Sequence, residues 1–218
     1  SKYELKLIED AAQGFGGRLD SKKAGSFGDI ATTSFFPAKP LGCYGDGGAI
    51  FTDSDEYAEL LRSFRVHGKG QDKYDNVRVG MNSRLDTIQA AILLEKLAEF
   101  EVELDSRNKV ASTYTRELSE YYRAPSVPEG YFSSWAQYTL VSEARDGIMA
   151  ALKKQGIPTV IYYGCCMHQQ TAFANLGYKD GDFEVAERLS NRVFSLPMHP
   201  YMSADQIDRV TQALIQIK

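Results

Sequence analysis

A stretch without glycine or proline runs from Arg84 to about Tyr121 and constrains the fold of this chain more than any other sequence feature. Apolar residues recur in it at the spacing of one helix face, namely Leu85, Ile88, Ile92, Leu93, Leu97 and Phe100. The pattern predicts one helix well beyond the mean length of about 11 residues. Because so long a helix usually connects two substructures, we expect a first domain over residues 1–100, which includes the start of the helix, and a second over 101–218.

The segments on either side of this helix indicate an α/β fold. Strand-like runs alternate with loops and helices, which is typical of a layer with a largely parallel sheet. Strands are predicted at residues 6–9, 30–36 and 49–52 in the first part and at 135–142 and 159–163 in the second. Helices are predicted from a cap at 53–54 to about 66, at 148–155, at 183–193 and from 204 onwards.

Composition excludes several classes of function. The chain has 218 residues, with 25 Lys and Arg against 29 Asp and Glu, so it lacks the basic excess by which nucleic-acid binders neutralise phosphates. No apolar run approaches the roughly 20 residues of a membrane helix. The first ten residues are charged, unlike a secretory leader, which predicts a cytoplasmic protein. Three cysteines without a C-x-x-C spacing predict neither a disulfide framework nor a zinc site.

Three polar residues stand where strands end, at the edge of the sheet where α/β proteins bind ligands. Asp10 closes the first strand, Ser34 lies near the end of the second, and Lys39 follows in a tight turn. A desolvated lysine can form a Schiff base with an aldehyde cofactor, and a carboxylate can hold a pyridinium nitrogen protonated. This pattern fits a pyridoxal phosphate site. On the pattern alone, however, such a lysine is more often a solvated charge, and such an aspartate is more often a helix cap.

A glycine-rich turn, Gly45–Gly48, suggests a nucleotide-binding module as a further hypothesis. A strand, and not a helix, is predicted to follow it, so the turn does not match a dinucleotide fingerprint. This hypothesis also leaves Lys39 and Asp10 without a role. The turn is better explained as a sharp chain reversal beyond Lys39.

Four motifs occur along the chain in a fixed order: IEDAAQ at 8–13, TSFFPAKPLGCYGDGGA at 33–49, GMNSRLD at 80–86 and SLPMHP at 195–200. Together they resemble the DegT/DnrJ/StrS family of sugar aminotransferases. The resemblance implies the fold of type I pyridoxal-phosphate transferases, like that of aspartate aminotransferase. Residues 1–100 would then be the C-terminal part of the large cofactor-binding domain, and 101–218 the small α/β domain. Since the family's chains are nearly twice as long, we expect the N-terminal half of the large domain to be missing here.

The resemblance implies a role for four residues around pyridoxal 5'-phosphate. Lys39 forms the internal aldimine and moves the proton between cofactor and substrate carbon. Asp10 holds the pyridinium nitrogen, Gln13 faces the phenolic oxygen of the ring, and Ser34 binds the phosphate. A dehydratase branch of the family carries histidine at the position of Lys39, so the lysine favours transamination.

The resemblance also implies partners for the chain. Asn82 is a second phosphate ligand that reaches the cofactor of a partner subunit, which implies a homodimer with composite sites. Arg84 approaches the nucleotide sugar. Tyr163 is a substrate contact, although relatives acting on UDP-linked 3-keto hexuronic acids carry His-Tyr-Pro-x-Pro where this chain reads Tyr162-Tyr163-Gly164-Cys165-Cys166.

The function implied is transfer of an amino group from L-glutamate to a keto group of a nucleotide-linked sugar. The motifs favour a UDP sugar used for surface polysaccharide, such as lipopolysaccharide. A 4-keto sugar or a carbocyclic ketone is the alternative substrate. A non-catalytic fragment that serves as a dimerisation partner is the alternative from another class.

Overall fold

The computed structural model describes residues 3–217, which form two compact units. The first unit runs to Leu104 and takes in Pro128–Ala136; the second comprises Asp105–Val127 and continues from Gln137. The boundary therefore falls inside the predicted connecting helix, and a short later segment groups with the first unit. That these units are the large and small domains of an aminotransferase stays a prediction.

The elements follow in chain order. The first part contains strands β1 (Ile8–Asp10), β2 (Arg18–Leu19), β3 (Lys22–Lys23), β4 (Ile30–Ser34) and β5 (Gly48–Phe51), then helices α1 (Asp55–Phe64), α2 (Thr87–Ala98) and α3 (Phe100–Leu118), and strand β6 (Tyr131–Phe132). The second unit continues with β7 (Tyr138–Val141), α4 (Arg145–Lys154), two 3-10 helices (Met167–Gln169 and Thr171–Leu176), α5 (Glu184–Ser190), β8 (Val193–Leu196) and α6 (Ala204–Ile217). Among the described residues, no helix combines the length and the apolar character needed to cross a membrane.

The main sheet of the first unit has the order β1-β4-β5. β1 and β4 are parallel, with Asp10 opposite Thr32, whereas β4 and β5 are antiparallel, with Ser34 opposite Gly48. The expectation of a largely parallel sheet is therefore wrong for β5. The Phe35 N–H donates to the Gly47 carbonyl at 2.8 Å, which closes the loop between β4 and β5. The chain therefore returns beside β4 directly, without the helical crossover that a parallel pair needs.

The predicted long helix is broken into α2 and α3 at Glu99. Glu99 has φ −93° and ψ −2°, a conformation open to any L-residue, so the break requires no glycine or proline. Beyond the break Phe100 is buried, with its ring centroid 5.7 Å from that of Phe15, and Leu104 is buried as well. Both side chains belong to the core beneath the loop that follows β4, together with Phe35, Leu41, Cys43 and Leu93.

The cap predicted at the start of the first helix is confirmed. The Ser54 hydroxyl accepts the Tyr57 N–H at 3.3 Å and begins α1, as its capping role predicted. In the second unit β7 and β8 pair antiparallel, but the strand predicted at 159–163 is reduced to a single bridge between Val160 and Ser195. The core of this unit is built on fully buried side chains, among them Tyr114, Leu118, Tyr138, Leu140, Leu152, Phe194 and Leu214.

Candidate active site

The carboxyl edge of the β1–β4 pair carries two of the predicted site residues. Asp10 is the last residue of β1, and Ser34 is the last residue of β4, two positions beyond the partner of Asp10. The Asp10 carboxylate is exposed and accepts the Ala12 N–H at 3.0 Å, while the Ser34 hydroxyl accepts the Phe36 N–H at 3.2 Å. Because the two strands run in parallel, both side chains belong to the same edge of the sheet.

Lys39 lies on the loop that leaves this edge. Its N–H donates to the Phe36 carbonyl at 2.9 Å, which closes a tight turn immediately after β4. The residue is half-buried, and its side chain forms no hydrogen bond or ion pair within residues 3–217. The lysine amine is therefore available, and its action at the edge that carries Asp10 and Ser34 stays a prediction.

Cys43 fixes the far side of the same loop. The cysteine is 1% exposed, its N–H donates to the Phe35 carbonyl at 2.8 Å, and its sulfur lies 3.1 Å from the carbonyl oxygens of Phe35 and Gly45. These contacts close residues 35–43 into a loop around the turn at Lys39. Sequence reasoning assigned Cys43 no role, since its contacts depend on the loop closing on itself.

Gly42 provides a test of how far this loop positions Lys39. A Cβ at this residue would lie 2.7 Å from the carbonyl oxygens of both Phe36 and Pro37, which are backbone atoms that cannot simply rotate away. We expect Gly42→Ala to displace the loop and to lower the free energy of unfolding by about 1–3 kcal/mol. Chemical denaturation would measure the change.

Gly147→Ala is the matched control for that substitution. Gly147 lies in α4 with no atom within 4 Å of its would-be Cβ, so alanine should stabilise the protein by about 1 kcal/mol through helix propensity. Equal stabilities of the Gly42 variant and the parent protein would show that the loop adapts at no cost.

Gln13 lies three residues beyond Asp10 in the turn that follows β1. Its side chain is exposed, and its backbone carbonyl accepts the hydroxyl hydrogen of Ser134 at 3.2 Å. The hydrogen bonds from the N–H groups of Gly14 and Phe15 to the Ala11 carbonyl make this turn compact. Gln13 is thus held beside the same sheet edge as Asp10, and its contact with a cofactor ring stays a prediction.

Asn82 and Arg84 form a second, separate group. The Arg84 Nε donates to the Asn82 side-chain oxygen at 3.1 Å, and Asn82 forms a β-bridge with Val66. Both residues are exposed and line a cleft of about 1140 Å³ in the first unit. Among the residues that the structure describes, Asp10, Gln13, Ser34 and Lys39 do not line this cleft. Thr33 and Phe35, the chain neighbours of Ser34, do line it.

Tyr163 belongs to the second unit. It is 66% exposed and lines a cavity of about 670 Å³. His168 lines the same cavity, and its Nε2 lies 2.9 Å from a carboxylate oxygen of Glu187. These two residues are 19 positions apart in the chain, and no local pattern indicates their pairing.

His199 is the third histidine of the chain, and its contacts are those of a structural residue. Its Nδ1 accepts the Tyr201 N–H at 3.2 Å, and burial, together with the charge of Arg107, lowers its pKa. An unfolded histidine has a pKa of about 6.5, so the unfolded state binds the proton more readily than the folded state. We therefore expect the free energy of unfolding to fall as the pH drops below about 7.

His199→Gln should flatten this dependence between about pH 7 and pH 5, because glutamine does not titrate. Denaturation midpoints across that range would measure it. His67→Asn is the control: His67 is exposed, and its φ of 62° is one that asparagine tolerates. If both variants kept the slope of the parent protein, His199 would not be its source.

Comparison with known proteins identifies the family of this chain. A UDP-2-acetamido-2-deoxy-3-oxo-D-glucuronate aminotransferase from Pseudomonas aeruginosa is 44% identical over 215 residues, which are 98% of this chain and 59% of that protein. A solved DegT DnrJ EryC1 StrS aminotransferase from Brucella abortus is 50% identical, with a TM-score of 0.94 over 99% of this chain and 58% of the other.

A solved Bacillus subtilis protein, ntda, with the bound cofactor PMP is 32% identical, with a TM-score of 0.88 over 99% of this chain and 51% of the other. The chain thus spans little more than half the length of these relatives. The match to the DegT/DnrJ/EryC1/StrS aminotransferase family runs over residues 1–215, and the chain belongs to that family.

Proposed function

We propose that this chain is the C-terminal part of a pyridoxal-phosphate-dependent sugar aminotransferase. One observation carries the proposal: Asp10 and Ser34 end neighbouring parallel strands at one edge of the sheet, and Lys39, whose amine has no partner among residues 3–217, lies on the loop that leaves this edge. In this proposal the first unit is the end of the large cofactor-binding domain, and the second unit is the small domain.

The chemistry of these donors fits pyridoxal phosphate. Its aldehyde requires an amine, its pyridinium nitrogen a carboxylate and its phosphate a hydroxyl or amide donor, and bound cofactor of this kind acts as an electron sink for the substrate carbon. Lys39 supplies the amine and Ser34 the hydroxyl. Among residues 3–217 the exposed Asp10 carboxylate accepts one hydrogen bond, from the Ala12 N–H, so it retains capacity to accept another.

The roles of the side chains follow from their chemistry. Lys39 would hold the cofactor through its amine and would carry a proton to and from the substrate carbon. Asp10 keeps the ring nitrogen protonated through a charge-assisted hydrogen bond. Gln13 lies in the turn next to Asp10 and is proposed to contact the ring beside it. Ser34, at the strand end, orients the phosphate.

The proposed reaction moves an amino group from L-glutamate to the keto group of a UDP-linked sugar for surface polysaccharide. The P. aeruginosa relative, named for a UDP-linked 3-oxo sugar, supports this substrate class. Arg84 is proposed as a contact of the diphosphate or a carboxylate, because the guanidinium fork binds two oxygens at once. Tyr163 is proposed as a sugar contact. The three cysteines are free, which agrees with the proposed cytoplasmic location.

Measuring amino transfer from nitrogen-15 glutamate tests the substrate class. The protein, expressed as its gene encodes it, would be given UDP-linked 3-keto, UDP-linked 4-keto and dTDP-linked keto sugars in turn. We expect the label to appear in an amino sugar from the UDP-linked 3-keto substrate. Labelling of a 4-keto sugar instead would show that the reaction is as proposed but that its substrate is a 4-keto sugar. No labelling, together with no cofactor uptake, would favour a non-catalytic partner protein.

We further propose a homodimer with composite sites. The supporting observation is that Asn82 and Arg84 line a cleft whose described lining does not include Lys39. In a two-fold dimer, Asn82 of one copy can then serve the phosphate bound by the other.

Complementation between two inactive variants tests the composite site. Mixed Lys39→Ala and Asn82→Ala subunits form heterodimers in which one of the two sites has both residues intact. After random exchange we expect about a quarter of the parent activity to return. Activity that stays at the level of the separate variants would place Asn82 in the site of its own chain.

A further inference from the structure

Two adjacent cysteines, Cys165 and Cys166, lie in the wall of the cavity of the second unit. Both thiols are free, and Cys165 is exposed while Cys166 is half-buried. Cys43, by contrast, is 1% exposed and belongs to the core of the first unit. Buried cysteines of that kind are inert, whereas thiols that solvent reaches are open to chemical modification. The pair is therefore placed for reaction and not only for packing.

Hydrogen bonds bring both sulfurs to one short segment. The Cys165 thiol donates to the Cys166 carbonyl, with 3.7 Å between sulfur and oxygen. That carbonyl accepts the Gln169 N–H at 3.0 Å, and the Cys166 sulfur accepts the same N–H. The two sulfurs thus belong to a single small hydrogen-bonded group at the start of the 3-10 helix Met167–Gln169.

Gln169 connects this group to the chain ahead of α5. Its Oε1 accepts the Cys166 N–H at 3.3 Å, and its Nε2 donates to a carboxylate oxygen of Asp180 at 2.8 Å. Beside it, the Nε2 of His168 lies 2.9 Å from a carboxylate oxygen of Glu187. A change in the position of the Cys166 sulfur therefore alters the contacts that hold this 3-10 helix in place.

We propose that Cys165 and Cys166 form a site of reversible oxidation, at which a peroxide converts the two thiols into a disulfide. The exposed Cys165 sulfur attacks one peroxide oxygen, the O–O bond breaks, and a sulfenic acid and one water result. The Cys166 sulfur then attacks the sulfenic sulfur, the S–O bond breaks, and a second water leaves. Two electrons pass from the thiols to the peroxide. This reaction is independent of the proposed amino transfer.

The adjacency of the two residues makes this disulfide easy to reduce. Neighbouring Cα atoms are about 3.8 Å apart across a trans peptide, closer than the roughly 4.4–6.8 Å of ordinary disulfides. A disulfide outside that range is strained, and strained disulfides are the labile, regulatory ones. The bond also draws the Cys166 sulfur toward Cys165 and away from the Gln169 N–H. We therefore expect the oxidised form to loosen residues 167–169 in the cavity wall.

Mass spectrometry of the protein as its gene encodes it tests the bond. After hydrogen peroxide, we expect the peptide with both cysteines to lose two hydrogens and to resist alkylation, and we expect dithiothreitol to restore both thiols. Oxidation of Met167, which is 67% exposed, adds oxygen and is distinguished by its gain in mass. Buried Cys43 is the internal control and should remain a thiol. Oxygen added at Cys165, with Cys166 still open to alkylation, would overturn the proposed bond.

A trivalent arsenical tests whether the two sulfurs meet, without any oxidation. Phenylarsine oxide reacts with two thiols to form two As–S bonds, and its oxygen leaves as water. We expect one equivalent to bind and to be displaced by a dithiol but not by an equal concentration of a monothiol, because two linked thiols bind cooperatively.

Single variants locate this uptake. Cys165→Ser and Cys166→Ser should each weaken arsenical binding by at least about a hundredfold, since each leaves one thiol. Met167→Leu keeps both thiols and should bind like the parent protein. Binding at the parent affinity in either serine variant would show that the two cysteines do not act as a pair.

Amide hydrogen exchange tests the effect on the cavity wall. Loss of the sulfur acceptor should raise the exchange rate of Gln169 about fivefold in the oxidised protein, while β7 keeps its rate. Peroxide should leave the rate unchanged in Cys166→Ser, which cannot form the bond. Equal rates at residues 167–169 in the reduced and oxidised parent protein would overturn the proposed loosening.

Discussion

Lys39→Ala is expected to abolish covalent cofactor attachment and to lower the rate of amino transfer by about a thousandfold, since the lysine is both anchor and proton carrier. The measurement is a mass spectrum of the peptides after incubation with pyridoxal phosphate and reduction with borohydride. In the parent protein the phosphopyridoxyl group should be confined to the Lys39 peptide. In the variant that peptide should carry none, and the other lysines should remain unlabelled.

Lys109→Ala is the control for this experiment. Lys109 is an exposed lysine of α3 and has no proposed role, so its loss should leave both labelling and rate unchanged. An adduct at another lysine in the Lys39 variant, with amino transfer preserved, would remove Lys39 from the mechanism. Absence of any adduct in the parent protein would argue against the cofactor itself.

Asp10→Asn is expected to separate cofactor attachment from catalysis. The asparagine side chain retains the oxygen that accepts the Ala12 N–H at 3.0 Å, so the turn after β1 should persist. Its charge, however, is lost. A neighbouring opposite charge typically moves a pKa by about 1–3 units, so the ring nitrogen should lose its proton and the rate should fall by about ten- to a thousandfold. The borohydride adduct at Lys39 should still form.

Asp72→Asn is the matched control, because the Asp72 carboxylate accepts the Tyr74 N–H at 2.8 Å in the same two-residue arrangement. This substitution repeats the local change away from the sheet edge and should leave the rate unchanged. A full rate in Asp10→Asn would show that Asp10 serves only as the cap of its turn. A lost adduct would show that the charge is needed for binding and not only for catalysis.

Features that depend on neighbouring residues were predictable from the sequence. Ser54 caps α1 because its hydroxyl reaches an N–H three residues on, and α6 begins at Ala204, where the last helix was predicted. The four motifs, read in order, indicated the family that the comparisons show. Chemical type and spacing along the chain are enough for such inferences, because no distant partner enters them.

Tertiary structure determined the features that depend on contacts between residues distant in the sequence. β5 is antiparallel because Phe35 pairs with Gly47, and the long helix breaks at Glu99, ahead of the buried Phe100. The His168–Glu187 pair likewise joins residues from separate segments. A hydrogen bond or a buried contact between distant residues forms only if the chain between them closes into a loop. That loop forms stably only when the whole core packs. The sequence by itself therefore determined the local elements and the family chemistry, while folding determined which of those residues meet.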